Sequence, residues 1–205
     1  MKLKVILAYL FILFSLSVSA ESNETQAHNI LIRALNILQN PGGASLNYRI
    51  DVSFIHREGY VIFKGKKFQR RSKHTIDWFD GATFWSMNRQ TQVVKICNPK
   101  KKMEDGDASL TEQINLVREG CHYAVTSDGC NWKIEVKSIA KNTKLKNAEV
   151  WVNKMTYEPA KLRVKCGFLW VNITLWDVTA ANYSDVNFAF SRCKYPEATL
   201  LDKRK

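Results

Sequence analysis

Few of the side chains that enzymes work with occur in this chain, and those present are scattered. The four histidines, His28, His56, His74 and His122, never fall at metal-ligand spacing with another histidine, a cysteine or a carboxylate. There is no Gly-x-Ser-x-Gly elbow and no phosphate-cradling glycine loop. Asp77 and Asp80 flank what reads as a turn, and turn chemistry accounts for Asp80 without an acid–base role. These absences point to a protein that is not an enzyme and needs neither metal nor cofactor. The chain has no internal repeat and no low-complexity segment. Beyond residue 20 it has no apolar run approaching the ~20 residues of a spanning helix. Its five cysteines, Cys97, Cys121, Cys130, Cys166 and Cys193, are odd in number and match no disulfide framework, zinc site or CxxC pair. A hairpin about Asp128-Gly129 would leave Cys121 roughly 20 Å up the strand from Cys130, at ~3.3 Å per residue. A bridge tolerates about 7 Å, so that pair is not expected to bridge, while Cys166 with Cys193 stays open.

What is present begins with an export signal. Lys2 and Lys4 precede a short apolar run, Val5 to Leu16, and Val18-Ser19-Ala20 is a small-residue cleavage site. The expectation is a soluble exported protein cut after Ala20, with one domain over residues 21–205, long enough for a real core. The formal charge is +12, and removing Lys2 and Lys4 leaves +10. Such an excess suits acidic partners or anionic membrane surfaces, or serves only as a solvated coat.

Along the mature chain, Thr25 to Gln39 reads as a helix with Ala27, Ile30, Leu31, Ala34 and Leu38 on one stripe. Thr25 or Asn23 would cap it, and Asn40-Pro41-Gly42-Gly43 would stop it. A strand from Leu46 to Ile55 follows, with Tyr48, Ile50, Val52 and Phe54 on one face. Further strands are expected at Tyr60–Phe63, Tyr123–Thr126, Trp132–Lys137, Val150–Met155, Leu162–Cys166, Leu169–Val178 and Val186–Ser191, with turns at Glu58-Gly59, Asp80-Gly81, Asp128-Gly129 and Glu158-Pro159. A charged loop, Pro99 to Asp107 with Lys100-Lys101-Lys102, leads into a short amphipathic helix, 108–119, carrying Leu110, Ile114 and Val117 and capped by Asp107.

Residues 75–99 are the most informative stretch. Asp80-Gly81 is a strong two-residue hairpin signal, which would pair Phe79 with Ala82, Trp78 with Thr83 and Ile76 with Trp85. Ile76, Trp78, Trp85 and Met87 then share a face, joined by Val94 and Ile96. Asp77, Ser86, Asn88 and Lys95 take the other, with Phe79 and Phe84. Either the rest of the fold or a ligand must cover the greasy side. The basic-aromatic run Tyr60 to Arg71 would suit single-stranded nucleic acid, but export argues against that partner and a solvated strand end explains Lys64, Lys66 and Lys67. Asn23, Asn172 and Asn182 open sequons of no specificity. The last strands add Val171, Ile173, Leu175, Phe188 and Phe190, which is more apolar surface than two thin helical stripes can cover, so a partly filled interior is expected.

Several strings, in order, resemble the LolA family of periplasmic lipoprotein carriers: Trp78-Phe79-Asp80-Gly81 with Phe84-Trp85, Gln92-Val93-Val94-Lys95-Ile96 ending at Pro99, then Asn187-Phe188-Ala189-Phe190, Tyr195-Pro196 and Leu201-Asp202-Lys203-Arg204. The resemblance implies an incomplete antiparallel β-barrel, mainly β with helices, whose N-terminal and mid-chain helices lid the concave apolar side. It implies a monomeric periplasmic chaperone that carries acylated lipoproteins from an inner-membrane ABC exporter towards an outer-membrane acceptor. The cavity would be lined by Tyr48, Ile50, Val52, Phe54, Ile76, Trp78, Trp85, Met87, Val94, Ile96, Val171, Ile173, Leu175, Phe188 and Phe190. Ile30, Leu31, Ala34, Leu38, Leu110, Ile114 and Val117 would form the lid. The alternative is a periplasmic sensor or regulator on the same half-barrel, binding a lipid or protein partner.

Overall fold

The computed structural model describes residues 22–99, 121–138 and 147–204. The export signal, the Lys100–Lys102 loop, the Asp107 cap and the helix with Leu110, Ile114 and Val117 lie outside them. One helix, α1 (Asn23–Leu38), precedes twelve strands: β1 (Ala44–Val52), β2 (Ile55–Lys64), β3 (Lys67–Ser72), β4 (Thr75–Phe79), β5 (Phe84–Asn88), β6 (Val93–Cys97), β7 (Cys121–Asp128), β8 (Asn131–Ser138), β9 (Asn147–Asn153), β10 (Pro159–Cys166), β11 (Leu169–Ala180) and β12 (Thr199–Lys203). They form one long, open, curved sheet in the order β12-β6-β5-β4-β3-β2-β1-β11-β10-β9-β8-β7. Every pairing is antiparallel except β12 on β6. The expected half-barrel is what the chain builds.

The helix starts two residues earlier than its periodicity suggests. Ser22 is the cap, its hydroxyl accepting from the Thr25 amide. Asn23 instead pins the helix to β7, donating to the Val125 carbonyl and accepting from its amide, both at 2.8 Å. The stripe of Ala27, Ile30, Leu31, Ala34 and Leu38 is buried throughout.

The Asp80 turn is longer than a two-residue hairpin. The Asp80 carboxylate accepts from the amides of Ala82 and Thr83 at 2.8 and 2.7 Å, and Gly81 takes φ +101°. Phe79 therefore meets Phe84, Trp78 meets Trp85 and Ile76 meets Met87, two residues away from the expected register. A slip of two preserves the faces, whereas a slip of one would exchange them. Asp128 pairs with Asn131, so that turn is centred on Gly129-Cys130. Cys121 and Cys130 are unbridged, as are Cys97 and Cys193, so the open Cys166–Cys193 pairing does not form.

Two further expectations are corrected, and one strand is found that was not expected. Val186–Ser191 is not a strand: a short 3-10 turn, Asp185–Asn187, leads into an irregular segment, because Phe188 and its neighbours pack onto the sheet instead of extending it. The basic strand β3, with few apolar residues, escapes detection by hydrophobic pattern altogether. Glu58-Gly59 is no turn, since β2 runs straight through it opposite Tyr48. A Cβ on Gly59 would lie 2.5 Å from the Tyr48 hydroxyl and 2.6 Å from the Arg71 carbonyl. Gly59→Ala is accordingly expected to lower stability by about 1–3 kcal/mol, read as a shift of the thermal unfolding midpoint. A wild-type midpoint would mean that the strands relax without strain.

Candidate functional site

Registered partners on neighbouring strands share a face, so the pairings trace which side chains lie together. Across one face, Ile50 meets Ile173, Ile173 meets Leu162, Leu162 meets Val150, Val150 meets Ile134 and Ile134 meets Val125. A second row beside it runs Val171, Val164, Ala148, Val136 and Tyr123. Tyr48 and Leu175 pair on the same face. The β7–β9 half of these rows is sealed by α1, with Val125, Ile134, Val136, Ala148 and Val152 packed against the helix stripe. At the other end, Leu38 joins Ala44, Leu46 and Phe63.

Between these two packed regions lies a gap. Ile50, Val52, Val171 and Ile173 are half-buried and, among the described residues, belong to neither cluster. Leu162 and Val164 border them, touching the α1 cluster from its edge. The side chains of Ile50, Val52, Val171, Ile173, Leu162 and Val164 carry neither charge nor hydrogen-bonding groups, and Arg57 of β2 stands beside them, opposite Ile50. This strip on β1, β11 and β10 can take up an apolar chain by contact area and shape.

The residues expected to line one cavity divide between two faces. Tyr48, Ile50, Val52, Val171, Ile173 and Leu175 lie on the helix side. Through the registers of β2, β3 and β4, Tyr48, Leu46 and Phe63 share their face with Phe68, Arg70, Asp77 and Phe79. Ile76, Trp78, Trp85, Met87, Val94 and Ile96 share one face as expected, but it is the opposite one. There they are covered by the C-terminal segment. Trp78 is 1% exposed and meets Phe190 and Tyr195 edge-on at 5.8 and 5.5 Å, while Ala198 joins Ile76, Met87 and Val94. Phe188 is fully buried outside the strip. This is a second core, closed over Ile76, Trp78, Met87 and Val94, with Trp85 and Ile96 half-buried beside it. Phe54 also leaves the site, because β1 ends at Val52 and Ser53 turns with φ +53°. Ile30, Leu31, Ala34 and Leu38 are core residues at the edge of the strip. Leu162, Val164 and Val150 are additions to the expected lining, although the alternation Leu162-Arg163-Val164-Lys165 carries the signal.

On the helix side, Asp77, Arg70 and Ser86 satisfy one another. The Asp77 carboxylate accepts from Arg70 Nε and Nη2 at 3.0 and 2.8 Å and from the Ser86 hydroxyl at 2.6 Å, a cross-strand ladder over β3, β4 and β5. Asp77→Ala removes the acceptor of both donors. It should cost about 1–3 kcal/mol in chemical denaturation, below a fully buried pair because the Arg70 side chain is 35% exposed. An unchanged midpoint would assign the ladder no structural weight. Burial, and then the neighbouring Cys121, push the Tyr123 hydroxyl up to about 12, and burial raises the Cys121 thiol against a hydrogen bond from Tyr123 that lowers it. Both stay protonated at neutral pH, which leaves that corner without a reactive nucleophile. Lys64 and Lys67, at the end of the basic-aromatic run, pair with Asp185 at 3.5 and 2.6 Å and tie the C-terminal segment to the β2–β3 turn. Among the described residues, no three His, Cys, Asp or Glu side chains converge as metal ligands would.

Comparison with known proteins agrees with this architecture. No curated protein matches the chain. An uncharacterized conserved protein from Thermus thermophilus has the same fold, with a TM-score of 0.53 at 11% identity over 87% of this chain and 99% of that one. Weaker likenesses are to a LolA superfamily protein from Nitrosomonas europaea, with a TM-score of 0.38 and 12% identity over 80% and 97% of the two chains, and to the lipoprotein LppX of Mycobacterium tuberculosis, with 0.43 and 9% over 77% and 98%. The sequence model of the family described as outer membrane lipoprotein carrier protein LolA matches residues 16–168, most of the chain. The half-barrel, its N-terminal helix α1 and this match together make the protein a member of the LolA family.

Proposed function

We propose that this protein is an exported, non-enzymatic carrier that shields the acyl chains of lipoproteins on the strip between β1 and β10. The observation that bears most on this reading is the half-buried, wholly apolar set of Ile50, Ile173, Leu162, Val52, Val171 and Val164 in a member of a carrier family. An acyl chain exposed to water loses about 0.8 kcal/mol for each methylene left uncovered. A lipid-modified protein therefore needs a cover to cross an aqueous compartment, and a strip that stays incompletely packed can release its load without unfolding a core. In this reading the mature domain begins at Glu21 and works as a periplasmic monomer. It receives lipoproteins from an inner-membrane ABC exporter and hands them to an acceptor at the outer membrane.

The mature protein, purified without detergent, should carry acylated protein or lipid visible by native mass spectrometry. It should also release lipoproteins from inner-membrane vesicles. A protein that is empty and inactive in release would refute the proposal.

A further inference from the structure

Among the described residues, four of the exposed large hydrophobic side chains gather at one place. Phe54 is 86% and Ile55 48% exposed at the β1–β2 turn; Phe168 is 89% and Leu169 41% exposed at the β10–β11 turn. The two hairpins are neighbours in the sheet, since β1 pairs with β11 and Asp51 stands opposite Asn172. Both turns therefore project from the same end, side by side. Each is a tight reversal with one residue in the left-handed region, Ser53 at φ +53° and Gly167 at φ +63°, which holds the following phenylalanine out at the tip.

Behind the tips the composition changes in a definite order. Leu169 pairs with Cys166, and the next pair inward is Trp170 with Lys165. The Trp170 ring carries the Arg163 guanidinium at 4.2 Å and the Lys165 ammonium at 5.9 Å. On the other hairpin, His56, Arg57 and Arg49 follow Ile55 along β2 and β1. The acidic groups nearby are mostly engaged: Asp51 binds Arg49 and His56 at 3.2 and 2.6 Å, and Glu149 binds Arg163 at 3.2 Å. Apolar tips, then an indole, then cations is the order in which a bilayer surface presents acyl chains, the interfacial layer and anionic headgroups. An acidic protein surface would not favour two bare phenylalanines at the leading edge.

From this order we infer that the paired hairpin tips form a docking foot for anionic membrane surfaces, inserting Phe54 and Phe168 while Lys165, Arg57 and their neighbours meet the lipid phosphates. The strands that carry the tips are the ones that carry the open strip. Docking brings the end of the strip, at Val52 and Val171, to the interface; only the use of that position for loading rests on the proposed carrier function.

Co-flotation of the mature protein with phosphatidylcholine vesicles, with and without phosphatidylglycerol, tests the inference. Wild type should bind the anionic vesicles, more weakly as salt rises, and bind the neutral ones poorly. The double variant Phe54→Ser/Phe168→Ser should lose on the order of tenfold or more of that binding with an unchanged unfolding midpoint, because both side chains stand in solvent. Met155→Ser/Val186→Ser removes two exposed apolar residues from the opposite end of the sheet and should bind like wild type. Equal binding by the tip variant, or equal binding of wild type to neutral vesicles, overturns the inference. Retention of a soluble acylated peptide by the tip variant, measured without vesicles, separates the two readings. Retained peptide with lost flotation supports the foot, and a wild type that retains peptide but never floats refutes the foot and leaves the carrier intact.

Discussion

Trp78→Ala is expected to cost about 3–5 kcal/mol, the largest effect of any single substitution considered, and to loosen the C-terminus without emptying the carrier. Trp78 is almost wholly buried between the β4–β6 meander and the segment holding Phe190, Tyr195 and Ala198. Truncating the indole removes the surface on which that segment lies. The edge strand β12 follows directly and, among the described residues, pairs with β6 alone. Limited trypsin digestion should then cut faster after Arg192 and Lys194, both exposed, and the thermal midpoint should fall by roughly 10 °C, at 2–4 °C per kcal/mol for a chain of this size. Acyl-chain retention by the folded fraction should be unchanged. A variant with a wild-type midpoint that had lost its ligand would put the binding surface on the meander after all.

Ile173→Arg should do the reverse. Ile173 lies in the open strip between Ile50 and Leu162 and is only half-buried. An arginine there can reach solvent with its head while its stem lies along the sheet, so the fold should survive with a modest loss of stability. The charge, however, occupies the path of an acyl chain. Retention should fall at least about tenfold, or ~1.4 kcal/mol, as read from the ligand-bound fraction in native mass spectra. Thr174→Arg, one residue along and on the opposite face with Lys161, should retain ligand normally. Equal retention by both variants would remove the strip from the binding surface.

The contrast between Trp78 and Ile173 also marks what can be read from the chain by itself. Alternation identifies the shared face of Ile76, Trp78, Trp85, Met87, Val94 and Ile96, and it survives a register error of two residues because parity is kept. Helical periodicity likewise finds the buried stripe of α1. Alternation cannot say how the face of one strand relates to that of another several strands away. That relation passes through β2 and β3. The strand β3, Lys67-Phe-Gln-Arg-Arg-Ser72, has a single large apolar residue and reads as a charged extension, which leaves the phase between β1 and β4 open. The tail misleads for a related reason. Phe188 and Phe190 alternate like a strand, yet they cover a sheet face by side-chain packing and make no ladder. The lining of the strip is visible in Ile50, Val52, Val171 and Ile173. Its borders, Leu162 and Val164, alternate visibly with Arg163 and Lys165, but only the pairing of β10 with β11 places them beside it.

Photo-crosslinking with a diazirine-bearing diacylated peptide, followed by peptide mapping, tests most directly which surface receives the acyl chains. The strip predicts adducts on Tyr48–Val52 of β1, Leu162–Val164 of β10 and Val171–Leu175 of β11. Adducts concentrated on Ile76, Trp78, Trp85 or Met87, or spread evenly over the protein, would contradict it.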